Sequence, residues 1–128
     1  MLETNRVMGI FDDARALHVD ALDELGRGNL RNAAEKAWGA TKRATDAFIL
    51  ARTGEEPRTA GQTTRELRVL GRQDQQVMGL VRLFESRAYF LHGRCFYDGI
   101  CEPPEAVEDE VRGTADYITD AEELANVQ

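Results

Sequence analysis

Leu30–Phe48 reads L-R-N-A-A-E-K-A-W-G-A-T-K-R-A-T-D-A-F. Its apolar and small residues, Leu30, Ala33, Ala34, Ala37, Trp38, Thr41, Ala44, Thr45 and Phe48, recur at steps of three and four. That is the repeat of an amphipathic α-helix with one buried face. Asn29 suits the N-cap and Gly54 the stop. Ala37, Gly39, Ala40 and Ala44 carry little bulk, so a neighbouring helix backbone can come close. Trp38, on the same stripe, is expected to anchor the core. The stretch therefore predicts the central member of a helical bundle.

The flanks repeat the pattern. Towards the N-terminus Val7, Ile10, Phe11, Ala14, Leu17, Ala21, Leu22 and Leu25 form a stripe that Gly26 and Gly28 end. Towards the C-terminus comes a polar loop, E-E-P-R-T-A-G, and then Thr63-x-x-Glu66, which reads as a capping box opening a short helix with Leu67 and Leu70. Gly71 reads as an interruption before Gln73. The next stripe is Val77, Leu80, Val81, Phe84, Ala88, Leu91 and Cys95. Asp98-Gly99 and Pro103-Pro104 force a turn, and Pro103-Pro104-Glu105 makes a helix entry with an acidic first turn. The last stripe runs Val107, Val111, Thr114, Ile118, Ala121 and Ala125. No segment alternates with a period of two. The expected fold is all-α: one domain over 1–128, an up-and-down antiparallel bundle of four long helices plus a short one.

The 128 residues fit one domain, with 42% hydrophobic and 30% charged residues. No apolar run approaches a membrane span. The start, M-L-E-T-N-R-V-M, lacks a basic region followed by an apolar one, so no secretion signal is expected. Cys95 and Cys101 have no further cysteine or histidine pair at zinc spacing. They are expected to be reduced thiols in a cytoplasmic protein, with Cys95 packed as a small hydrophobe. The net charge of -7 is uneven. From Glu102 onward nine acidic residues face one basic residue, Arg112, whereas Arg27–Arg94 holds thirteen basic and seven acidic ones. Bulk charge argues against polyanion binding. A basic face on the middle helices remains open, and so does a merely solvated surface.

Candidate chemistry concentrates in Ser86–Tyr97, S-R-A-Y-F-L-H-G-R-C-F-Y. Arg87 can hold a phosphate and His92 can move a proton near neutral pH, the minimum equipment for metal-free RNA cleavage. These two are the candidate catalytic residues. Lys36, Tyr89 and Tyr97 are candidate binding residues, the tyrosines because their rings can stack on a base. The same residues also read as the packed end of a core helix. On a straight α-helix, positions five apart diverge by about 140°. Arg87 and His92 would therefore need a bend, or a second chain, to meet on one ligand. Glu85 shares a face with His92 and can orient or satisfy it. His18 sits on the first stripe and reads as structural. Phosphate-binding, dinucleotide and nucleophile-elbow signatures are absent, no cofactor is implied, and Glu108-Asp109-Glu110 is a poor metal cage because consecutive helix positions diverge.

The run Ala33-Ala34-Glu35-Lys36-Ala37-Trp38-Gly39-Ala40, together with Leu91-His92 and Phe96-Tyr97, resembles the PaREP-like branch of the HEPN superfamily. The resemblance covers most of the chain. It implies an antiparallel α-bundle that forms a homodimer. Many HEPN proteins are metal-independent RNases with an R-x(4–6)-H motif at the dimer cleft, and Arg87-Ala-Tyr-Phe-Leu-His92 fits that spacing. Others are non-catalytic partners of small nucleotidyltransferases in toxin–antitoxin operons. Ala88 follows the arginine where active members often carry a polar residue, which tilts the resemblance toward a non-catalytic nucleic-acid- or nucleotide-linked binding module. The alternative is an endoribonuclease. Exposure of Arg87 and His92 at a shared basic cleft would favour the enzyme. A buried His92 and an exposed apolar patch would favour the binding module. A third reading is a purely structural helical dimer.

Overall fold

A computed structural model describes residues 2–125, with side chains from residues 4–125. Met1, the first residue of the stretch read for a secretion signal, lies outside them. The elements are α1 (Leu2–Gly26), α2 (Leu30–Thr53), α3 (Ala60–Gln73), α4 (Gln75–Arg87), a π-helical segment (Ala88–Tyr97), α5 (Pro104–Arg112) and α6 (Thr114–Ala125). There is no strand among the described residues. With α4 and the π segment forming one rod and α5 with α6 another, the bundle has four long members and the short α3.

Several boundaries differ from the sequence reading. The cap of α3 is Thr59, whose hydroxyl accepts from the Gln62 N–H at 3.1 Å, while the Gln62 side chain accepts from the Arg58 N–H at 2.9 Å. The helix is thus capped at Thr59, not by a Thr63-x-x-Glu66 box. Thr63 lies inside α3, buried, and donates to the buried Asp46 carboxylate at 2.7 Å. Asn29 holds the cap position of α2 without capping through its side chain. Its amide donates instead to Glu24 at 3.0 Å. Gly71 does not interrupt α3. It is where α3 and α4 come closest, since a Cβ there would stand 2.7 Å from Val81 Cγ2. The break falls at Asp74, whose side chain caps α4 by accepting from Gln76 N–H.

The third rod changes its winding after Arg87. In α4 the buried positions Val77, Leu80, Val81, Phe84 and Arg87 are spaced by threes and fours, as an α-helix requires. Beyond Arg87 the buried positions are Leu91 and Cys95, at steps of four only. A longer turn keeps such a row on one side, and π-type i→i+5 bonding provides it. The Asp98 N–H donates to the Gly93 carbonyl at 3.0 Å in that register. The chain then reverses at Gly99 (φ +74°), and Cys101 returns to within 4.4 Å of Cys95, Cα to Cα. The two cysteines form a disulfide, against the expectation of free thiols. Cys95 is fully buried, as expected.

The core has two apolar clusters. One combines Val7, Ile10, Phe11 and Ala14 of α1 with Phe48, Leu67, Leu80, Phe84, Ile118 and their neighbours. The other gathers Ala21, Ala33, Ala34, Ala37, Leu91, Cys95, Val107 and Val111. Trp38, largely buried, packs against both. Near their junction lies a polar layer to which α1, α2, α4 and α6 contribute His18, Thr41, Arg87 and Thr114.

Candidate functional site

The structure assigns Arg87 to the interior. Only 4% of it is exposed. Its Nε donates to Thr41 Oγ1 at 3.0 Å, Nη1 to Glu110 Oε2 at 3.1 Å, and Nη2 to Thr114 Oγ1. The guanidinium also lies over the Tyr117 ring, 5.9 Å from its centroid. Burial lowers the pKa of Arg87 and is only partly offset by Glu110 and Tyr117, yet an arginine this basic stays charged. The layer is closed by Tyr117, whose hydroxyl shares a hydrogen bond with Thr45 Oγ1 at 2.6 Å and whose pKa burial raises. His18 borders the layer with Nδ1 buried and without a hydrogen-bond partner. Burial lowers its pKa first, and the charge of Arg87 lowers it further.

His92 is half-buried with its side chain 42% exposed, against the buried histidine expected of a binding module. Its Nδ1 lies 2.8 Å from Glu35 Oε1, and since a carboxylate only accepts, Nδ1 carries the proton and Nε2 is left for other partners. Glu85, the orienting carboxylate suggested by the sequence, instead accepts from Arg68 at 2.6 Å. A ladder of rings runs through the imidazole. Trp38 lies 5.1 Å from Phe84 and 5.8 Å from His92, and His92 stacks on Phe96 at 6.3 Å. Tyr97 meets His92 edge-on at 6.5 Å. The π winding explains why one imidazole reaches both rings, four and five positions later, because i+4 and i+5 flank the same line on a wider turn.

Arg31 completes the group. It lies over Phe96, 5.8 Å from the ring centroid, and its Nη2 donates to the Tyr97 carbonyl at 3.1 Å. Arg31, Glu35 and Trp38 are four and three residues apart, so one face of α2 meets the π segment. Tyr97 is 75% exposed and Lys36 is exposed beside Glu35. The other candidate binding residue, Tyr89, does not join them. It lines a separate cleft with Ser86, Phe90, Ala106, Asp109 and Glu110. Arg87 and His92, five positions apart, therefore make their bonds in different places, one inside the bundle and one on its edge.

Among the described residues, no helix is long and apolar enough to cross a membrane. No curated protein and no solved structure matches the chain. The family model of the archaeal PaREP1/PaREP8 family matches residues 9–117. That span takes in Glu35 and Trp38 of the second helix, His92, Phe96 and Tyr97 of the π segment, and the buried layer around Arg87. The bundle and the segments that meet at His92 are thus those of the archaeal PaREP1/PaREP8 family, to which this chain belongs.

Proposed function

We propose that this protein is a non-catalytic binding module that holds a base of single-stranded RNA against the ring surface of His92 and Tyr97, with Lys36 available to the phosphate. In this reading it is a HEPN-like homodimer in the cytoplasm and serves as the partner of another protein, such as a small nucleotidyltransferase. The observation that carries the reading is the fate of Arg87. Its three nitrogens bond inside the bundle, so one chain does not offer an arginine and a histidine to the same phosphate. What it offers outside is an exposed tyrosine beside an imidazole fixed by Glu35. Aromatic side chains stack on bases with little regard to sequence.

Binding of labelled single-stranded RNA, followed by anisotropy at low and moderate salt, tests this. Tyr97→Ala should weaken binding by about 1–3 kcal/mol if one base stacks there. Trp38 is the only tryptophan and lies against His92, so its fluorescence should shift on binding. Unchanged affinity in Tyr97→Ala, or no binding even at low salt, rejects the reading.

One observation favours endoribonuclease activity as a second reading. Glu35 anchors Nδ1 of His92 and leaves Nε2 for proton transfer, the arrangement of an oriented general base. Cleavage should then persist in EDTA and fall by about 10²–10⁴ in a folded His92→Ala variant. Arg87→Ala would act through folding, so it is a poor probe of this chemistry. Absence of cleavage by the wild type, or equal cleavage by His92→Ala, removes the second reading.

A further inference from the structure

The cleft that holds Tyr89 has a different chemistry from the His92 surface, and none of its lining residues belongs to the His92 group. It is an open cleft of about 410 Å³ between the end of α4, the π segment and α5, lined by Ser86, Tyr89, Phe90, Ala106, Asp109 and Glu110. One wall is aromatic, with Tyr89 66% exposed and Phe90 half-buried. The other wall is anionic. Glu110 spends one oxygen on Arg87 and keeps 43% of its side chain exposed. Asp109 is exposed and has no cationic partner among the described residues. A phosphate would be repelled here. A cation would find both carboxylates and an electron-rich ring, the combination that suits organic ammonium groups better than hydrated metal ions.

The geometry points to this cleft as a binding site for the alkylammonium group of a free polyamine. Seated between Tyr89 and Asp109, one ammonium shares Glu110 with the Arg87 guanidinium while the methylene chain lies on Phe90 and Ala106. Glu105, exposed and one turn before Asp109 on α5, stands about 6 Å along the helix. That is comparable to the separation of two ammonium groups joined by three or four methylenes, so a second ammonium can pair there. The acidic excess after Glu102 favours entry of such a ligand over that of an anion.

Spermidine binding to the full chain, measured by calorimetry at moderate salt, tests the site. Spermidine should bind the wild type more tightly than sodium does at matched ionic strength. Tyr89→Ala and Asp109→Asn should each weaken it about two- to fivefold, with the larger loss in the double variant. Asp120→Asn removes the same charge from α6 and should leave affinity unchanged, because the exposed charges are screened from each other. These substitutions are at exposed positions, and thermal melting should confirm intact folding. Equal losses in all three single variants would mean bulk charge attraction and overturn the proposal. So would no effect of Tyr89→Ala. N-acetyl-lysine methylamide presents one alkylammonium in the form of a protein side chain. Binding as tight as that of spermidine would make a lysine of another protein the occupant and overturn the free polyamine.

Discussion

The layer around Arg87 and the group around His92 lie on the same rod, five residues apart, and each ties a charged or polar side chain to α2. At Arg87 the tie closes inward. Hydroxyls of Thr41 and Thr114 and the carboxylate of Glu110 take the guanidinium donors, and two apolar clusters seal the layer from either side. At His92 the tie is a single hydrogen bond to Glu35, and much of the imidazole remains open to solvent. A guanidinium needs several acceptors in fixed directions, and a bundle interior where three helices converge can supply them. An imidazole needs one partner, so it can be fixed and stay accessible. A chain can therefore carry an arginine–histidine spacing suited to catalysis and use its two members for unrelated purposes.

Five changes would break or sharpen that contrast. Glu110→Ala strips the counter-charge from a guanidinium that is 5% exposed and should cost about 3–4 kcal/mol in urea unfolding. Arg87→Met should cost less than Glu110→Ala, because Glu110 can hydrate and both threonine hydroxyls keep a backbone carbonyl to donate to. The reverse order would mean that the layer stabilises by hydrogen bonding rather than by charge compensation. Trp38→Ala should come next, at about 3 kcal/mol, since the ring touches both clusters. It should also loosen His92, so that binding falls together with stability. A loss below about 1 kcal/mol would place Trp38 with the surface group alone.

The next change is in pH. The folded pKa of His18 is lowered by burial and by Arg87. The unfolded chain therefore binds more protons as pH falls past the ordinary histidine value of about 6.5, and stability should drop through that window. His18→Gln should flatten this part of the stability–pH curve. An unchanged curve in His18→Gln would mean that burial beside Arg87 does not set the pH dependence. The smallest effect is expected from Glu35→Gln, whose partner is partly exposed, at below about 1 kcal/mol in stability.

The helical stripes were legible because apolar residues recur every three or four positions over long runs, and the expected all-α bundle follows from them. The apolar stripe read from the sequence passes through Ala88, whereas the buried position is Arg87, three residues after Phe84 and four before Leu91, and a charged residue does not announce its acceptors. Those come from Thr41, Glu110 and Thr114, which are distant in sequence. The change to π winding was not readable, because only Leu91 and Cys95 distinguish a step of four from one of 3.6. Glu35 had a signal that went unused. It stands one turn before Trp38 in A-E-K-x-W-G-A, and the segment holding His92 was already paired with that run by family resemblance. Glu85 shares a helix face with His92, but the carboxylate that meets the imidazole comes from the facing α2, and Glu85 pairs with Arg68 instead. The disulfide depended on the reversal at Gly99, which a spacing of six between cysteines does not reveal.

On α2, Ala33, Ala34, Ala37, Ala40, Ala44 and Ala47 have no exposed surface at all. Alanine codons change by one base to valine, threonine, serine, proline, glycine, aspartate or glutamate. The larger of these overfill a tight seam, the charged ones lack partners there, and proline or glycine weakens the helix itself. A leucine-rich seam can drift through isoleucine, valine and methionine with modest losses, whereas this one has almost no neutral neighbours. Over long divergence α2 should therefore be the slowest-changing stretch of the chain, even at positions that touch no ligand. Invariance along it would be a record of steric confinement rather than a mark of a binding surface.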